Sequence, residues 1–159
     1  MILQTIAATG MRVSEIRSVT VETVKKGLVQ IYNKGKVRVI LMPGDLQKQL
    51  LLYAKKTGIK KGVLFLTRNG KPVDRTGIWR GMKMLCKEAG VNAEKVFPHN
   101  LRHLFAQCFY QIKKDLSKLA DLLGHSSIET TRIYIREPIS SHRRQLEKLK
   151  LVDSIWCAT

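Results

Sequence analysis

Three motifs decide how the chain is interpreted: His-Asn-Leu-Arg-His-Leu-Phe-Ala at residues 99–106, Leu-Leu-Gly-His-Ser-Ser at 122–127, and Thr-Thr-Arg-Ile-Tyr at 130–134. His99 and Arg102 are three positions apart, so they share one face of a helix. His125 follows a glycine, where a chain can turn sharply, and Tyr134 comes nine residues later. On one phosphate, the guanidinium would bind two oxygens, the imidazoles would donate hydrogen bonds or move protons, and the phenol would attack.

The combination of these residues is far more specific than any one of them. A single residue of these types is more often a helix cap, a surface arginine or a half-buried tyrosine. His-x-x-Arg, then Leu-Gly-His, then a tyrosine nine residues after that histidine, resembles the tyrosine recombinases, the family of phage and transposon integrases. Thr-Gly-Met-Arg-Val-Ser-Glu at residues 9–15 resembles the first arginine motif of that family. The resemblance extends over about residues 1–150.

The resemblance implies a catalytic set and a mechanism. The implied catalytic residues are Arg12, Lys34, His99, Arg102, His125 and, as the nucleophile, Tyr134. The two arginines would neutralise a five-coordinate transition state, so the reaction would need no metal ion and no other cofactor. His99 would act as acid and base near the nucleophile, and His125 would donate a hydrogen bond to the phosphate. Tyr134 would form a 3′-phosphotyrosine that conserves the bond energy for religation without ATP.

The general acid is expected on a turn between two predicted strands. In the recombinases, a lysine on this turn enters the active site and protonates the leaving oxygen. The usual sequence is Gly-Lys-Gly, followed by a strand that ends in proline. Lys34 with Pro43 at the end of the strand fits that register, and Lys36 is the alternative because the turn is short.

Other residues are expected to support catalysis or to bind DNA. Glu15 lies three residues after Arg12 and would pair with a neighbouring base, although a solvated carboxylate is an equal alternative. His103, next to Arg102, belongs to the common pattern of the family and is expected to support the site structurally. Phosphate contacts with DNA are expected from Lys36, Arg75, Arg80 and Lys83.

The charge of the chain indicates a polyanionic partner. Lysine and arginine number 29 against 12 acidic residues, which gives a formal net charge of +17. This excess is larger than solubility requires and favours a nucleic acid. Double-stranded DNA follows from the family resemblance, since composition does not separate DNA from RNA. The three cysteines lack Cys-x-x-Cys spacing and indicate reduced thiols, so a cytoplasmic location at a bacterial or phage-host nucleoid is expected. No apolar run reaches the ~18 residues of a membrane span, and no membrane partner is expected.

The sequence predicts an α+β fold, mainly α, over residues 1–159. Three β-branched runs at Val19–Val24, Leu28–Tyr32 and Val37–Met42 predict a small three-stranded antiparallel sheet packed on a helical body. Only eleven residues precede Arg12. We therefore expect an integrase catalytic domain truncated at its N-terminal start, without the upstream DNA-binding domain common in the family.

Two other functions fit parts of the pattern. A type IB topoisomerase would use the same phosphate chemistry. The sequence Leu-Gly-His-Ser-Ser followed by Thr-Thr-x-x-Tyr, however, resembles the integrases. A non-catalytic basic DNA-binding protein, descended from an integrase, would not need the complete catalytic set.

The C-terminal segment is predicted to contact other protomers. Residues 140–159 carry an apolar stripe at helical spacing among many charges: Leu146, Leu149, Val152, Ile155 and Trp156. In the recombinases, the segment after the nucleophile often packs on a neighbouring protomer. We therefore expect docking in trans within a tetramer on DNA, with docking on its own domain as the alternative.

Overall fold

The computed structural model of the chain describes residues 1–33, 35–125 and 127–135. Lys34, the side chain of Lys36 and residues 140–159 therefore lie outside the described residues, and the predictions made for them stay predictions. Within the described ranges, no helix is long and apolar enough to cross a membrane.

The described residues form a helical body with one β-hairpin. The helices are α1 (Ile2–Thr9), α2 (Val21–Lys26), α3 (Gly44–Thr57), α4 (Arg75–Glu88), α5 (Pro98–Lys113), α6 (Leu116–Leu123) and α7 (Ile128–Arg132). The strands are β1 (Leu28–Asn33) and β2 (Lys36–Leu41), and short 3₁₀ helices span Val13–Ser18, Ala93–Lys95 and Ile133–Ile135. The predicted α+β class with mainly helical content is confirmed, whereas the sheet in these ranges has two strands rather than three.

The predicted first strand, Val19–Val24, is wrong: Val21–Val24 lie in helix α2, and only Thr20, the N-cap, forms a single antiparallel bridge, with Val63. Thr20 Oγ1 accepts a hydrogen bond from the Thr23 backbone N–H at 3.2 Å, and Thr23 Oγ1 accepts one from the Thr20 N–H at 2.9 Å. Gly27 ends the helix in a left-handed conformation, with φ of 73°. These two caps stabilise the helix by more than the small preference of valine and threonine for strands opposes it.

The hairpin packs one face on the body of the protein. β1 and β2 are antiparallel, with Leu28 opposite Leu41 and Asn33 opposite Lys36. Because side chains alternate along a strand, Val29 and Ile40 point into the core, and Arg38 lies on the same inward face as Ile40.

The apolar interior is divided into two clusters of unequal size. The larger, here called the main core, includes Ile6, Met11, Ile16, Val29, Leu50, Leu64 and Phe65 from the first half of the chain. The smaller, here called the C-terminal cluster, has Ala106, Leu119, Leu123 and Tyr134 as its buried members. Helix α5 lies between the two, since Leu101 packs on the main core and Ala106 belongs to the C-terminal cluster.

The end of α1 makes a close approach to α5. Gly10 has φ of 64°, and a Cβ at this position would lie only 2.4 Å from the ring of Phe105. Only glycine fits both the backbone conformation and the space. This approach brings the segment that carries Arg12 next to the helix that carries His99 and Arg102.

Candidate active site

A cleft of about 890 Å³ opens between α4, α5 and the segments around residues 12 and 125. The polar and aromatic side chains on its walls are Arg12, Ser14, Arg75, Thr76, Trp79, Phe97, His99, Arg102, His125, Thr130 and Tyr134. Five of the six residues of the predicted catalytic set are therefore in one cleft, and the sixth, Lys34, is outside the described residues.

Arg12 is held at the edge of the cleft by Glu15. The backbone N–H of Arg12 donates to Glu15 Oε2 at 2.6 Å, and its side-chain Nη1 donates to Glu15 Oε1 at 3.1 Å. Glu15 is almost fully buried, whereas 39% of the Arg12 side chain is exposed. The guanidinium is thus fixed at one end and open to the cleft. In the structure, Glu15 is therefore paired with a base and is not the solvated carboxylate of the alternative interpretation.

Arg102 is buried beneath the cleft, with only 2% of its surface exposed. Its Nη1 donates to the Gly10 carbonyl at 2.5 Å, and its Nη2 donates to the Leu123 carbonyl at 2.6 Å. Burial lowers the pKa of Arg102 to about 10, with smaller contributions from the neighbouring Arg12 and Arg38. The guanidinium therefore keeps its positive charge at neutral pH.

The tautomer of His125 follows from its two partners. Arg102 Nη2 lies 3.1 Å from His125 Nε2, and a guanidinium can only donate, so Nε2 must be the acceptor. The proton is then on Nδ1, which donates to Thr131 Oγ1 at 2.8 Å. Burial, followed by the charges of Arg102, Arg12 and Arg38, lowers the pKa of His125 to about 4. The ring is therefore neutral, and its Nε2 carries no proton with which to donate to a phosphate.

Tyr134 is buried among three imidazole rings. Its hydroxyl lies 3.2 Å from His99 Nε2, and its ring centroid lies 4.1 Å from that of His103 and 5.5 Å from that of His125. Burial, with the charges of Arg102 and Arg12, lowers the pKa of His99 below its ordinary value. A neutral His99 can accept the phenolic proton, so this pair can generate a nucleophilic phenolate.

Three guanidinium groups bind the carbonyls at the C-terminal end of α6. Arg102 and Arg38 both donate to the Leu123 carbonyl, Arg38 is also 3.5 Å from the Leu122 carbonyl, and Arg12 Nη2 donates to the Gly124 carbonyl at 3.3 Å. The last carbonyls of a helix lack intrahelical partners and form the negative end of its dipole. The helix end therefore holds three positive charges directly beside His125.

The predicted DNA-contacting residues of α4 differ in what their side chains do. Arg75 lies on the cleft wall, and Arg80 is exposed. Lys83 is turned inward: its Nζ donates to the carbonyls of Ala93 and Val96 and lies 4.5 Å from the centre of the Phe97 ring. Lys83 thus supports the segment ahead of α5, and its prediction as a phosphate contact has less support than those of the two arginines.

Sequence reasoning missed Arg38. A signal existed, because Arg38 occupies the inward-facing register of β2 together with Ile40, where a charged residue needs a partner. In the described residues, no three histidine, cysteine or acidic side chains are grouped so that they could hold a metal ion. The positive charges of the site described here are those of its arginines.

The chain matches known proteins over most of its length. The family model described as the phage integrase family matches residues 1–139. A tyrosine recombinase XerD of Staphylococcus haemolyticus is 36% identical over 147 residues, which cover 84% of this chain and 48% of the relative. A tyrosine recombinase XerD of Oceanobacillus iheyensis is 36% identical over 142 residues, covering 83% and 48%. The chain thus spans about half the length of the curated relatives it matches.

Solved structures agree with the fold. The crystal structure of XerA recombinase superposes with a TM-score of 0.74 and 26% identity, covering 94% of this chain and 55% of that one. The XerH site-specific recombinase bound to its difH substrate, a pre-cleavage complex, gives a TM-score of 0.70 and 27% identity, covering 98% and 44%.

Proposed function

The chain belongs to the phage integrase family, and from this premise we propose that it is the catalytic part of a site-specific recombinase that cuts and rejoins DNA through Tyr134. The observation that carries the proposal is the contact between the Tyr134 hydroxyl and the neutral His99 ring, at 3.2 Å, in the same cleft as Arg12 and Arg102. A buried phenol beside a base and two guanidinium groups is suited to attack on a phosphodiester.

The proposed cleavage step involves two proton transfers, one from the attacking hydroxyl and one to the leaving 5′ oxygen. His99 Nε2 takes the proton of the Tyr134 hydroxyl, and the phenolate oxygen attacks phosphorus. The bond between phosphorus and the 5′ oxygen breaks, and Lys34, as the proposed general acid, protonates that oxygen. The product is a 3′-phosphotyrosine and a free 5′-hydroxyl. Religation is the reverse reaction, with a 5′-hydroxyl as the attacking group and no net change in bond type.

The arginines would stabilise the extra negative charge of the transition state. Arg12 is the more available, since its guanidinium is partly exposed to the cleft. Arg102 would reach the phosphate through the edge that now donates to His125. Once that bond is given up, His125 Nε2 could carry a proton and donate to the phosphate. The predicted role of His125 therefore requires a change of its protonation or tautomer when substrate binds.

Double-stranded DNA is the proposed substrate. The net charge of +17 and the cleft lined with arginines support a polyanion, and among the similar structures XerH is bound to its difH substrate and the Tn1549 transposon integrase to transposon right end DNA. We propose that the reaction requires neither a metal ion nor ATP, because the arginines can supply the charge and the phosphotyrosine conserves the bond.

Trapping of the covalent intermediate tests the proposal. The chain is incubated with a pool of nicked duplexes of randomised central sequence, from which the short strand beyond the cut diffuses away and prevents religation. Adducts that survive detergent are sequenced, and peptide mapping should place the DNA on Tyr134. Tyr134→Phe is the matched control, and an equal yield of adduct from this variant would refute the assignment.

The same substrates identify the general acid. A sulfur in place of the bridging 5′ oxygen makes a leaving group that needs no proton. We expect it to restore cleavage by Lys34→Ala at least tenfold and to leave Lys36→Ala unchanged. Restoration of Lys36→Ala alone would assign the acid to Lys36 instead.

Assembly in trans through residues 140–159 is the remaining part of the proposal. Deletion of this segment should leave binding to a single DNA site nearly intact and abolish complexes that join two sites, as resolved by native gel electrophoresis. Normal two-site complexes from the deletion variant would favour docking of the segment on its own domain.

A further inference from the structure

Arg38 carries a largely buried guanidinium for which the proposed chemistry has no role. Only 11% of its side chain is exposed, and it lies on the inward face of β2. Burial lowers its pKa, and the neighbouring Glu15 opposes this effect. A buried arginine is costly unless its contacts compensate for the lost hydration, so its partners indicate what it does.

The partners of Arg38 belong to two separate catalytic segments. Its Nη2 donates to Glu15 Oε2 at 2.5 Å, and Glu15 in turn holds Arg12. Its Nη1 donates to the Leu123 carbonyl, two residues before His125. Arg38 therefore connects the segment that positions Arg12 with the turn that positions His125.

The turn before His125 is fitted closely around Arg38. Gly124 has φ of 63°, and a Cβ at this position would lie 2.3 Å from Arg38 Cδ. The aliphatic part of Arg38 thus occupies the space that any larger residue at 124 would need. This contact sets the distance between the hairpin and the end of α6.

Arg38 also affects how much of the charge of Arg12 is available. Glu15 is one carboxylate shared by two guanidinium groups. Without Arg38, Glu15 would carry a full negative charge directly beside Arg12 and draw it away from a phosphate. With Arg38 present, Glu15 is neutralised from behind while still holding Arg12 in place.

We propose that Arg38 is a positioning residue for strand cleavage, acting through Glu15 on Arg12 and through the Leu123–Gly124 turn on His125. In the described residues, the hydrogen bonds of Arg38 go to Glu15 and to the carbonyls at the end of α6, and its side chain is not on the wall of the cleft. This inference rests on the proposed function. β2 begins two residues after Lys34 in the sequence, so Arg38 ties the strand that follows the proposed general acid to the rest of the site.

Substitution of Arg38 should separate cleavage from binding. In Arg38→Met, the single-turnover rate of adduct formation should fall about 100-fold, because displacement of catalytic groups by about 1 Å has an effect of this size. The dissociation constant for DNA should change by less than threefold. Arg38→Lys should recover about a tenth of the wild-type rate, since an ammonium can pair with Glu15 but cannot also span to the Leu123 carbonyl.

Arg17→Met is the matched control. Arg17 is an exposed arginine on the same 3₁₀ helix as Glu15, so its loss removes the same charge without touching the network. It should leave the cleavage rate within threefold of wild type.

Chemical rescue distinguishes positioning from a general loss of structure. Arg38→Ala leaves space for methylguanidinium, which at millimolar concentration should restore cleavage at least tenfold at unchanged DNA affinity. If Arg38→Ala does not fold, Gly124→Ala supplies the second variant, because its Cβ would displace the intact Arg38 and should reduce cleavage more than binding.

The outcomes are separable. If wild type cleaves DNA and Arg38→Met cleaves it equally fast, the role proposed for Arg38 is overturned, and the proposed function stands. The role of Arg38 is also overturned if cleavage, thermal stability and DNA affinity all fall together in the Arg38 variants and methylguanidinium does not restore cleavage. Absence of any adduct from the wild-type chain would overturn the proposed function, and the inference about Arg38 with it.

Discussion

The main core and the C-terminal cluster carry different parts of the active site. Arg12 and Glu15 are flanked by Met11 and Ile16, which are buried in the main core. Tyr134 is itself a member of the C-terminal cluster, which has far fewer buried residues. Arg12 is thus built on the heavily packed part of the protein, the nucleophile on the lightly packed part, and Arg102 on the helix between them. Because local opening costs less where fewer residues are buried, we expect the C-terminal cluster, with Tyr134 in it, to open more readily than the main core.

Truncation of one buried leucine in each region should give the largest difference in the free energy of unfolding. Leu64→Ala in the main core should lower the free energy of unfolding by about 2–5 kcal/mol, the usual range for a fully buried leucine. Leu119→Ala in the C-terminal cluster should lower it by about half as much, because fewer neighbours lose contacts. Urea denaturation measures both. Hydrogen exchange should show the opening in Leu119→Ala confined to residues 99–135, and global opening in both variants would remove the distinction.

Acidification should destabilise the C-terminal side of the site. The folded-state pKa of His125 is about 4, below its ordinary value of 6.5, so the unfolded chain binds the extra proton. The contribution of His125 is therefore fully present above about pH 6.5 and is lost as pH falls towards 4. After allowance for solvent screening, we expect on the order of 1 kcal/mol. His99 and His103, whose pKa values are also lowered, should act in the same direction.

The pH effect is measured as the free energy of unfolding between pH 7 and 4 in wild type and His125→Gln. The variant should show a weaker pH dependence. A wild-type and His125→Gln difference that does not vary with pH would contradict the assignment of a neutral His125.

The smallest expected effect compares two basic residues of α4. Arg80 is exposed, and we expect it to contact a phosphate, so Arg80→Ala should make the negative slope of log K against log salt shallower by about 0.9. Lys83→Ala should leave that slope nearly unchanged and lower thermal stability instead, because its ammonium binds the carbonyls of Ala93 and Val96. Titration of a labelled duplex at several salt concentrations measures both, and a reduced slope in Lys83→Ala would reverse the assignment.

The sequence predicted best what local motifs specify. The motifs and the family resemblance they carry grouped His99, Arg102, His125 and Tyr134, and the structure brings these four side chains into one cleft. The strand predicted at Val19–Val24 failed because the preference of β-branched residues for strands is weak beside two good helix caps.

Other features could not be read from local sequence. Arg38 and Leu123 meet across 85 positions of the chain, and nothing near either residue specifies the other. The acceptor role of His125 Nε2 depends on Arg102, which approaches from a different helix. Contacts of this kind are set by how the elements pack, so they become visible only in the folded protein.

The burial of Tyr134 has a consequence for the second half of the proposed reaction. Its side chain is only 7% exposed and packs in the C-terminal cluster. A cut strand joined to this residue would be tethered to the folded interior rather than to a free-moving loop. Its effective concentration near a rejoining hydroxyl would be high, and its rotation about the bond to phosphorus would be restricted. Loss of the broken end would then require local unfolding of the cluster, so the packing that buries the nucleophile would also guard the DNA against a permanent break.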